Sequence, residues 1–373
     1  MSVHDKANKP GPRKLLALDG GGIRGMITVE VLAQMEQMLQ QQLGRDDNFV
    51  LADYFDYISG TSTGAIIATC LSLGMRVADL REFYINSGPA MFDKSSLLRR
   101  FKYKYEDEKL AAKFKEVIGA DTTLGSDKLK TYLMMVMRNA TTDSPWPISN
   151  NPKAKYNDNE KYGDRSNLKL PLWQLVRAST AAPVYFPPEV IQVGQHSFTF
   201  VDGGITMYNN PSFQMFLMAT TEPYNLCWPT GEDQMLLVSI GTGTSPKANA
   251  DLSPNEMNLL YNAGSIPSAL MFAALNEQDF LCRVFGKCLC GDPIDREIGD
   301  MLGKCGPVSP KLFTYMRYNA ELSNEGLAAL GVGHIQPENV QQLDSIAHIP
   351  ELQQVGQAVA KKIKVEDFAG FLP

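Results

Sequence analysis

Apolar positions near the start of the chain follow two periodicities in succession. Residues 14–18 form a short apolar run that ends at Asp19, and this run predicts a buried β-strand. A glycine-rich stretch, residues 20–25, comes next. After it, apolar side chains recur every three or four residues between positions 27 and 38, which is the spacing of a helix. The pattern therefore predicts a strand, a glycine loop and a helix in that order.

The same succession occurs twice more. Residues 54–59 predict a second strand, residues 60–64 a tight turn, and residues 65–73 a helix that is apolar on all sides and therefore buried. Residues 235–240 predict a third strand, which ends in the glycine-containing segment 241–243. Repeated strand–loop–helix units indicate an α/β fold with three layers, α/β/α, around a mostly parallel central sheet. All three loops then lie beyond the carboxyl ends of strands, where ligands bind in such sheets.

Two further regions complete the expected organisation. Residues 143–167 are rich in Pro, Asn, Asp and Lys and predict a long surface excursion, whereas the tail from residue 309 predicts helices. We therefore expect a flexible N-terminus at residues 1–13 and one α/β catalytic domain at residues 14–308. A C-terminal helical elaboration at residues 309–373 is expected to pack on the same domain.

Composition and charge narrow the classes of protein to which this chain can belong. Its 373 residues are 44% hydrophobic and 20% charged, which excludes collagen-like and disordered chains. The formal net charge of −6 gives no overall attraction to nucleic acid or to an anionic membrane, so such a partner needs a local basic patch. Residues 94–104 carry five cations and no acid, and they form either such a patch or a solvated face. No DNA or RNA partner is expected.

Targeting signals and cysteine spacing bear on compartment and metal binding. The polar N-terminus lacks the apolar stretch of a secretory signal, and the longest apolar run, residues 65–75, is too short to span a bilayer. This predicts a cytoplasmic protein, with recruitment to the inner membrane surface only through local contacts. Four of the six cysteines lie between residues 282 and 305 without paired C-x2-C knuckles, which favours reduced thiols over a zinc site.

The most specific chemical motif is the G-x-S-x-G pentapeptide at residues 60–64, between the second predicted strand and its helix. A serine on such a sharp turn is exposed at the sheet edge, and Gly60 and Gly64 permit the tight backbone of the turn. The N-terminal end of the following helix also favours negative charge that forms near Ser62. We therefore predict Ser62 as a nucleophile, against the simpler interpretation of a serine-capped glycine turn.

The glycine loop admits three interpretations. The spacing of its glycines matches the dinucleotide fingerprint G-x-G-x-x-G, but the acidic residue expected about 20 positions later falls at Asp46 and Asp47, in a polar turn. A structural glycine turn is the second interpretation. The third, which the pattern favours, is an oxyanion hole built from backbone amides and one cation. Its candidate residues are Gly20, Gly21, Gly22 and Arg24.

A serine nucleophile needs a proton acceptor. His334 follows Ser62 and Asp202 in the chain order of an α/β-hydrolase triad, but it lies in a glycine-rich part of the tail, and His196 lies in a predicted turn. Asp202 follows a compact β-rich run, residues 198–201, and precedes two glycines, which places it at a strand end. The residues alone leave both a histidine and Asp202 open as the base.

Taken together and in this order, the three motifs resemble those of the patatin-like phospholipases. The family pattern is a D-G-G-G-x-R-G loop, a G-x-S-x-G turn and a later D-G-G/A. These motifs stand at residues 19–25, 60–64 and 202–204. Further matching segments are residues 53–56, 179–183, 185–188 and 239–243. The resemblance covers residues 14–245.

This resemblance implies a Ser–Asp dyad without histidine, with Ser62 as the nucleophile and Asp202 as its partner. It also implies that Gly20, Gly21, Gly22 and Arg24 form the oxyanion site. The implied reaction is phospholipase A-type hydrolysis of membrane phospholipid acyl esters through an acyl-serine intermediate, without a metal or other cofactor. The alternatives are a histidine-dependent esterase and a catalytically idle storage or binding protein of the same fold.

The C-terminal part of the chain, from residue 282 onward, is similar to that of soluble bacterial members of the family that act as antiphage effectors. The shared segments are residues 282–286, 294–300 and 317–319. In those proteins a cyclic oligonucleotide activates phospholipid degradation, so the resemblance implies nucleotide binding and a role in antiviral defence. The alternative is that these segments only complete the fold. The sequence leaves a homo-oligomer open.

Overall fold

The computed structural model describes residues 3, 6, 9–92, 103–183, 186–245 and 259–372. Within these ranges, only the backbone is described for residues 103–109 and 259–268. The side chains of the basic stretch at residues 94–104, a predicted contact surface, therefore lie outside the described part of the chain.

A single mixed sheet runs through the molecule. In the described ranges it contains nine strands in the order β5-β6-β3-β2-β1-β7-β9-β8, with β4 paired to β3. They are β1 (Arg13–Leu18), β2 (Tyr57–Thr61), β3 (Tyr132–Asn139), β4 (Ser144–Ser149), β5 (Glu189–Val193), β6 (His196–Asp202), β7 (Met235–Ile240), β8 (Lys287–Cys290) and β9 (Thr314–Tyr318). The run β3-β2-β1-β7-β9-β8 is parallel, while β4, β5 and β6 pair antiparallel. The predicted mostly parallel sheet is confirmed.

Helices connect the strands and cover both faces of the sheet. In the described ranges they are α1 (Gly25–Gln42), α2 (Leu51–Tyr54), α3 (Thr63–Ser72), α4 (Val77–Phe92), α5 (Tyr103–Ile118), α6 (Asn159–Tyr162), α7 (Leu172–Ser179), α8 (Ser212–Thr220), α9 (Leu259–Phe285), α10 (Asn324–Ala329), α11 (Pro337–Gln341) and α12 (Ile349–Ala360). The predicted helical elaboration of the tail is present as α10, α11 and α12.

The central strands are buried on both faces, which is why they read as continuous apolar runs. In β1, Leu16 and Leu18 belong to one core cluster, together with apolar side chains of α1, α3, α4 and α12. Leu15 and Ala17 belong to the other, together with side chains of α8 and α9. Each fully buried leucine contributes about 1.5–3 kcal/mol relative to an exposed one. The three-layer α/β/α architecture is thus the one that the sequence predicts.

Two strands lie in regions for which the sequence predicts a different structure. The expected excursion at residues 143–167 contains β4. The pattern does not predict this strand because it includes Pro145 and Pro147, and proline cannot donate a backbone hydrogen bond to a neighbouring strand. The tail, expected to be helical from residue 309, contains β9, which lies between β7 and β8. A segment of five residues is too short for periodicity to distinguish a strand from a helix, so the pattern of the tail does not predict its contribution to the sheet.

The predicted flexible N-terminus contains at least one anchored side chain. Lys6 is buried, and its ammonium donates hydrogen bonds to the backbone carbonyls of Ala52 and Phe55. Burial lowers the pKa of Lys6 to about 8, partly offset by the nearby carboxylate of Asp56. The side chain of Lys6 is therefore tied to α2 and to the residue that follows it.

The described residues contain neither a candidate membrane span nor a candidate metal site. Among these residues, no helix combines the length and apolarity that crossing a bilayer requires. In the same ranges, no group of three or more His, Cys, Asp or Glu side chains is placed to hold a metal ion. The thiols of Cys282 and Cys288 are buried and free, and burial raises the pKa of the Cys288 thiol to about 12.

Candidate active site

Ser62 occupies a strained turn between β2 and α3. Its φ of 54° and ψ of −123° are values that residues with a side chain rarely adopt. The turn is also crowded, because a Cβ atom on Gly60 would overlap the Gly64 carbonyl. A Cβ atom on Gly64 would overlap the carbonyl oxygen of Leu18 in β1. Both positions therefore require glycine, and the backbone has the geometry of a nucleophile elbow.

Strand β3 brings Ser62 and Asp202 together. Since β4 pairs along one edge of β3, β2 and β6 share the opposite edge in succession. β2 pairs along this edge as far as Thr61, opposite Val136. β6 continues it from Asp202, opposite Met137. Ser62 follows Thr61, so the turn after β2 meets the end of β6.

The two side chains are hydrogen-bonded. Ser62 Oγ donates to Asp202 Oδ2 at 2.6 Å, and Asp202 Oδ1 accepts from the Gly204 amide at 2.6 Å. Asp202 is only 4% exposed. Burial raises its pKa to about 6, although the hydrogen bonds from Ser62 and Gly204 act in the opposite direction. Such a carboxylate is mostly ionised at neutral pH and accepts a proton more readily than an exposed one.

Ser179, at the end of α7, holds the backbone of the elbow. Its Oγ accepts from the Ser62 amide at 3.0 Å and donates to the Val136 carbonyl of β3 at 2.6 Å. The side chain is fully buried. Sequence reasoning assigned it no role, although it begins one of the segments that match the family, residues 179–183. Its place at the start of that matched segment is the signal that the sequence offers for a role of Ser179.

Gly20 differs from the other glycines predicted for the oxyanion site in that its amide already has a hydrogen-bond partner. Its N–H donates to the carbonyl oxygen of Asn209 at 3.1 Å, so this amide is already paired. The cause is the loop that follows β6, which brings Asn209 against the glycine loop. A Cβ atom on Gly20 would overlap the Asn209 side chain. Gly20 is therefore needed for close packing, and sequence reasoning had no signal for Asn209.

The amides of Gly21 and Gly22 are better placed as donors. Thr242 Oγ1 donates to the Gly20 carbonyl at 2.8 Å, and the Arg24 amide donates to the Gly21 carbonyl at 3.2 Å. Across a trans peptide, a carbonyl and the next N–H point in opposite directions. These bonds therefore turn the N–H groups of Gly21 and Gly22 away from Thr242 and the Arg24 backbone. Among the described residues, neither N–H has a hydrogen-bond partner.

Arg24 lies beside these amides. Its Nη1 donates to the Gln341 carbonyl at 3.3 Å, and its Nε lies 3.5 Å from the Gly21 carbonyl oxygen. The guanidinium thus adds positive charge to the glycine loop and connects that loop to α11.

Ser62, Asp202, Arg24 and the loop glycines line one cavity of about 230 Å³. Much of the remaining wall is apolar. The apolar lining residues are Phe92, Ala182, Pro183, Phe186, Ile205, Met271 and Leu343. An apolar pocket with a few convergent polar groups is typical of a small-molecule site. This one suits a substrate with an apolar chain and an ester near Ser62.

Sequence comparison decides the family. The sequence model of the family described as patatin-like phospholipase matches residues 16–215, more than half of the chain. The chain belongs to the patatin-like phospholipase family. The elbow, Asp202 and the glycine loop of this patatin-like protein all lie inside the matched region, whereas β8, β9 and the last three helices lie outside it.

Curated relatives agree with this assignment. Patatin-like protein 4 of Arabidopsis thaliana is 28% identical over 270 residues, covering 65% of this chain and 63% of that protein. Patatin-T5 of Solanum tuberosum is 25% identical over 311 residues, covering 74% and 77%. A cGAMP-activated phospholipase of Vibrio cholerae is 30% identical over 213 residues, covering 54% and 56%. The match thus spans less than two-thirds of the length of the first and third of these relatives.

The candidate histidines of this patatin-like chain lie elsewhere. His334 is exposed and its Nε2 contacts Gln354 Oε1 at 3.0 Å, while His196 is exposed at the start of β6. In the part of the chain that the structure describes, no histidine lines the cavity that holds Ser62. Asp46 and Asp47, the acids required by the dinucleotide interpretation, lie in an exposed turn after α1.

Proposed function

We propose that this protein is a lipid acyl hydrolase that cleaves phospholipid acyl esters with Ser62 as nucleophile and Asp202 as general base. The observation that carries the proposal is the 2.6 Å hydrogen bond from Ser62 Oγ to Asp202 Oδ2, made at a strained elbow in an apolar cavity. Membership of the patatin-like phospholipase family supports the substrate class.

The proposed reaction has two proton-balanced halves. Asp202 takes the hydroxyl proton as Ser62 Oγ attacks the ester carbonyl carbon, and the N–H groups of Gly21 and Gly22 stabilise the resulting oxyanion. The bond to the alcohol oxygen then breaks, and that oxygen leaves with the proton from Asp202. In the second half a water molecule attacks the acyl-serine, Asp202 takes its proton, and the fatty acid leaves as the proton returns to Ser62.

Active-site labelling tests this proposal. We expect a fluorophosphonate probe to label the wild-type chain and to leave Ser62→Ala unlabelled, because the probe reacts with an activated serine. Vesicles of phosphatidylethanolamine and phosphatidylglycerol should release fatty acid only with the wild-type chain. Ser179 carries a second buried hydroxyl beside the elbow, so labelling that persists in Ser62→Ala would contradict the assignment. Absence of any labelling, with or without cyclic oligonucleotides, would favour the idle storage or binding protein.

We also propose that the mouth of the cavity contacts the membrane surface. Ile205 lines the cavity and is 42% exposed. Met207 is 50% exposed on the same loop, and Leu270 is 65% exposed beside Met271, a lining residue of α9. Exposed apolar side chains around a site that takes a lipid are suited to the boundary between head groups and acyl chains.

Vesicle binding tests this surface. In a Ser62→Ala background, we expect Met207→Ser/Leu270→Ser to lower the partition coefficient onto the same vesicles about 10-fold, because two apolar contacts are lost. The control pair is Tyr156→Ser/Leu302→Ser, at apolar positions that are 53% and 38% exposed and lie outside the elements lining the cavity. Equal losses for both pairs would refute a localised contact. With Ser62 present, Met207→Ser/Leu270→Ser should hydrolyse soluble p-nitrophenyl butyrate at the wild-type rate.

A cyclic oligonucleotide is the activator we propose, with a role in antiviral defence. The Vibrio cholerae relative bears the description cGAMP-activated phospholipase, which supports this regulation. Two of the segments similar to those of the antiphage effectors, residues 282–286 and 294–300, are joined in the structure, since Arg283 Nη1 donates to the Asp300 carbonyl at 2.9 Å. Fatty-acid release from the phosphatidylethanolamine and phosphatidylglycerol vesicles is therefore measured in the presence of each member of a panel of cyclic oligonucleotides. A flat response would remove the activator and leave the hydrolase in place.

A further inference from the structure

Arg317, which lies outside the region matched to the family, contacts the residue that precedes the glycine loop. Arg317 lies on β9, directly opposite Ser239 of β7, which in turn lies opposite Ala17 of β1. Its Nη1 donates to Ser239 Oγ at 2.7 Å. The guanidinium then continues to Asp19, the residue that immediately precedes Gly20. The tail therefore contacts the start of the glycine loop through one side chain.

The contact between Arg317 and Asp19 is bidentate and buried. Nη1 lies 2.9 Å from Asp19 Oδ1 and Nη2 lies 2.5 Å from Oδ2. The two side chains are 2% and 1% exposed. Burial disfavours the cation, but the neighbouring Asp19 carboxylate raises the pKa of Arg317, which therefore stays charged. A planar fork of this kind fixes the orientation of a carboxylate as well as its position.

The tail also orders the loop after β7, which packs against Gly20. Asn319, two residues after Arg317, accepts a hydrogen bond from the Gly243 amide at 2.9 Å. This orders the loop that carries Thr242, whose hydroxyl donates to the Gly20 carbonyl. The peptide group between Gly20 and Gly21 is therefore restrained twice. Asp19, which precedes it in the chain, is held by Arg317, and the Gly20 carbonyl accepts a hydrogen bond from Thr242.

We infer that Arg317 is a positioning residue for the acyl-transfer reaction, which it supports by holding Asp19 so that the Gly21 and Gly22 amides face the oxyanion. The inference rests on the proposed function. Loss of Arg317 removes the anchor at Asp19. It also leaves the buried carboxylate of Asp19 without its partner. An aspartate side chain readily accepts a hydrogen bond from the backbone N–H two residues later, which here is the N–H of Gly21. The oxyanion donor would then be occupied by the protein itself.

Steady-state kinetics test the inference. Wild type and Ser62→Ala are measured first on p-nitrophenyl butyrate, so that the proposed function is judged independently of Arg317. We expect Arg317→Met to lower kcat about 30-fold with KM within about twofold, a smaller loss than the 10²–10³-fold typical of removing a donor outright. Affinity for an alkyl boronic acid, which forms a tetrahedral adduct with the serine, should fall by a similar factor.

A matched control separates positioning from general destabilisation. Arg81 of α4 forms a bidentate pair with the buried carboxylate of Glu30 on α1, at 2.7 and 2.8 Å, and neither residue lines the cavity that holds Ser62. Arg81→Met should lower the melting temperature, because Glu30 loses its cation, yet leave kcat unchanged. Equal loss of kcat in both variants, or kcat within threefold of wild type in Arg317→Met, would overturn the inference.

A second variant covers the case in which Arg317→Met does not fold. Asp19→Leu/Arg317→Met removes both charges, so no unpaired carboxylate is left in the core. We expect it to be folded, with kcat still lowered about 10-fold because the anchor is lost while the competing carboxylate is gone. Wild-type kcat in this folded double variant would show that the pair serves stability alone.

Discussion

Asp202→Asn is expected to lower kcat for ester hydrolysis about 10⁴-fold without unfolding the protein, the size of loss seen when a catalytic aspartate is made neutral. Asparagine has the shape of aspartate and can still accept the Gly204 amide, which lies 2.6 Å from Oδ1. It cannot take the proton of Ser62, whose Oγ donates to Oδ2. The measurement is kcat on p-nitrophenyl butyrate, alongside circular dichroism to confirm folding.

The same carboxylate sets the pH dependence. Because burial raises the pKa of Asp202 to about 6, the base is protonated below that pH. Wild-type kcat/KM should therefore fall about tenfold per pH unit below pH 6 and level off above it. A folded-state pKa above that of the unfolded chain also means that stability is lost as pH rises towards 6. Asp202→Asn should then be more stable than wild type at pH 8, by up to about 3 kcal/mol.

Two controls decide the assignment of the base. Asp56→Asn changes another fully buried aspartate, at the opposite end of β2, where its Oδ2 accepts from the Lys14 amide at 2.9 Å. It should keep wild-type kcat. His334→Ala should do so too, since His334 is exposed and contacts Gln354. Loss of activity in His334→Ala with retention in Asp202→Asn would refute the dyad and support a histidine-dependent esterase.

The parallel strands β1, β2 and β7 could be predicted from local pattern alone, whereas β3, β8 and β9 were not predicted. The strand expected at residues 235–240 is β7, and that expected at 14–18 begins one residue earlier as β1. The strand expected at residues 54–59 is β2, which begins at Tyr57 because Leu51–Tyr54 forms the short helix α2. Buried parallel strands read as unbroken apolar runs, and the turn glycines mark where they end. Because Leu18 lies opposite both Gly60 and Ile240, the three loops emerge at one edge, as the sequence predicts.

The supports of the candidate site could not be predicted in this way. Arg317 and Asp19 are 298 residues apart, and no local pattern reports such a pairing. The paired amide of Gly20 depends on Asn209, whose loop has no periodicity to place it. Chemical motifs therefore identify the reacting groups, while the side chains that hold them are set by tertiary contacts.

Gly60→Ala is expected to lower kcat/KM on the order of 10³-fold, because it moves the nucleophile relative to both its base and its oxyanion donors. The added Cβ atom would overlap the Gly64 carbonyl, which is backbone and cannot rotate away, so the elbow must open. The free energy of unfolding should fall by about 1–3 kcal/mol, as for overpacking elsewhere in protein cores. Gly370→Ala is the control, since a Cβ atom there meets no neighbour and no positive φ is imposed, and it should match wild type in both measurements. Wild-type kcat/KM in a folded Gly60→Ala variant would mean that the tight elbow is not required for the reaction.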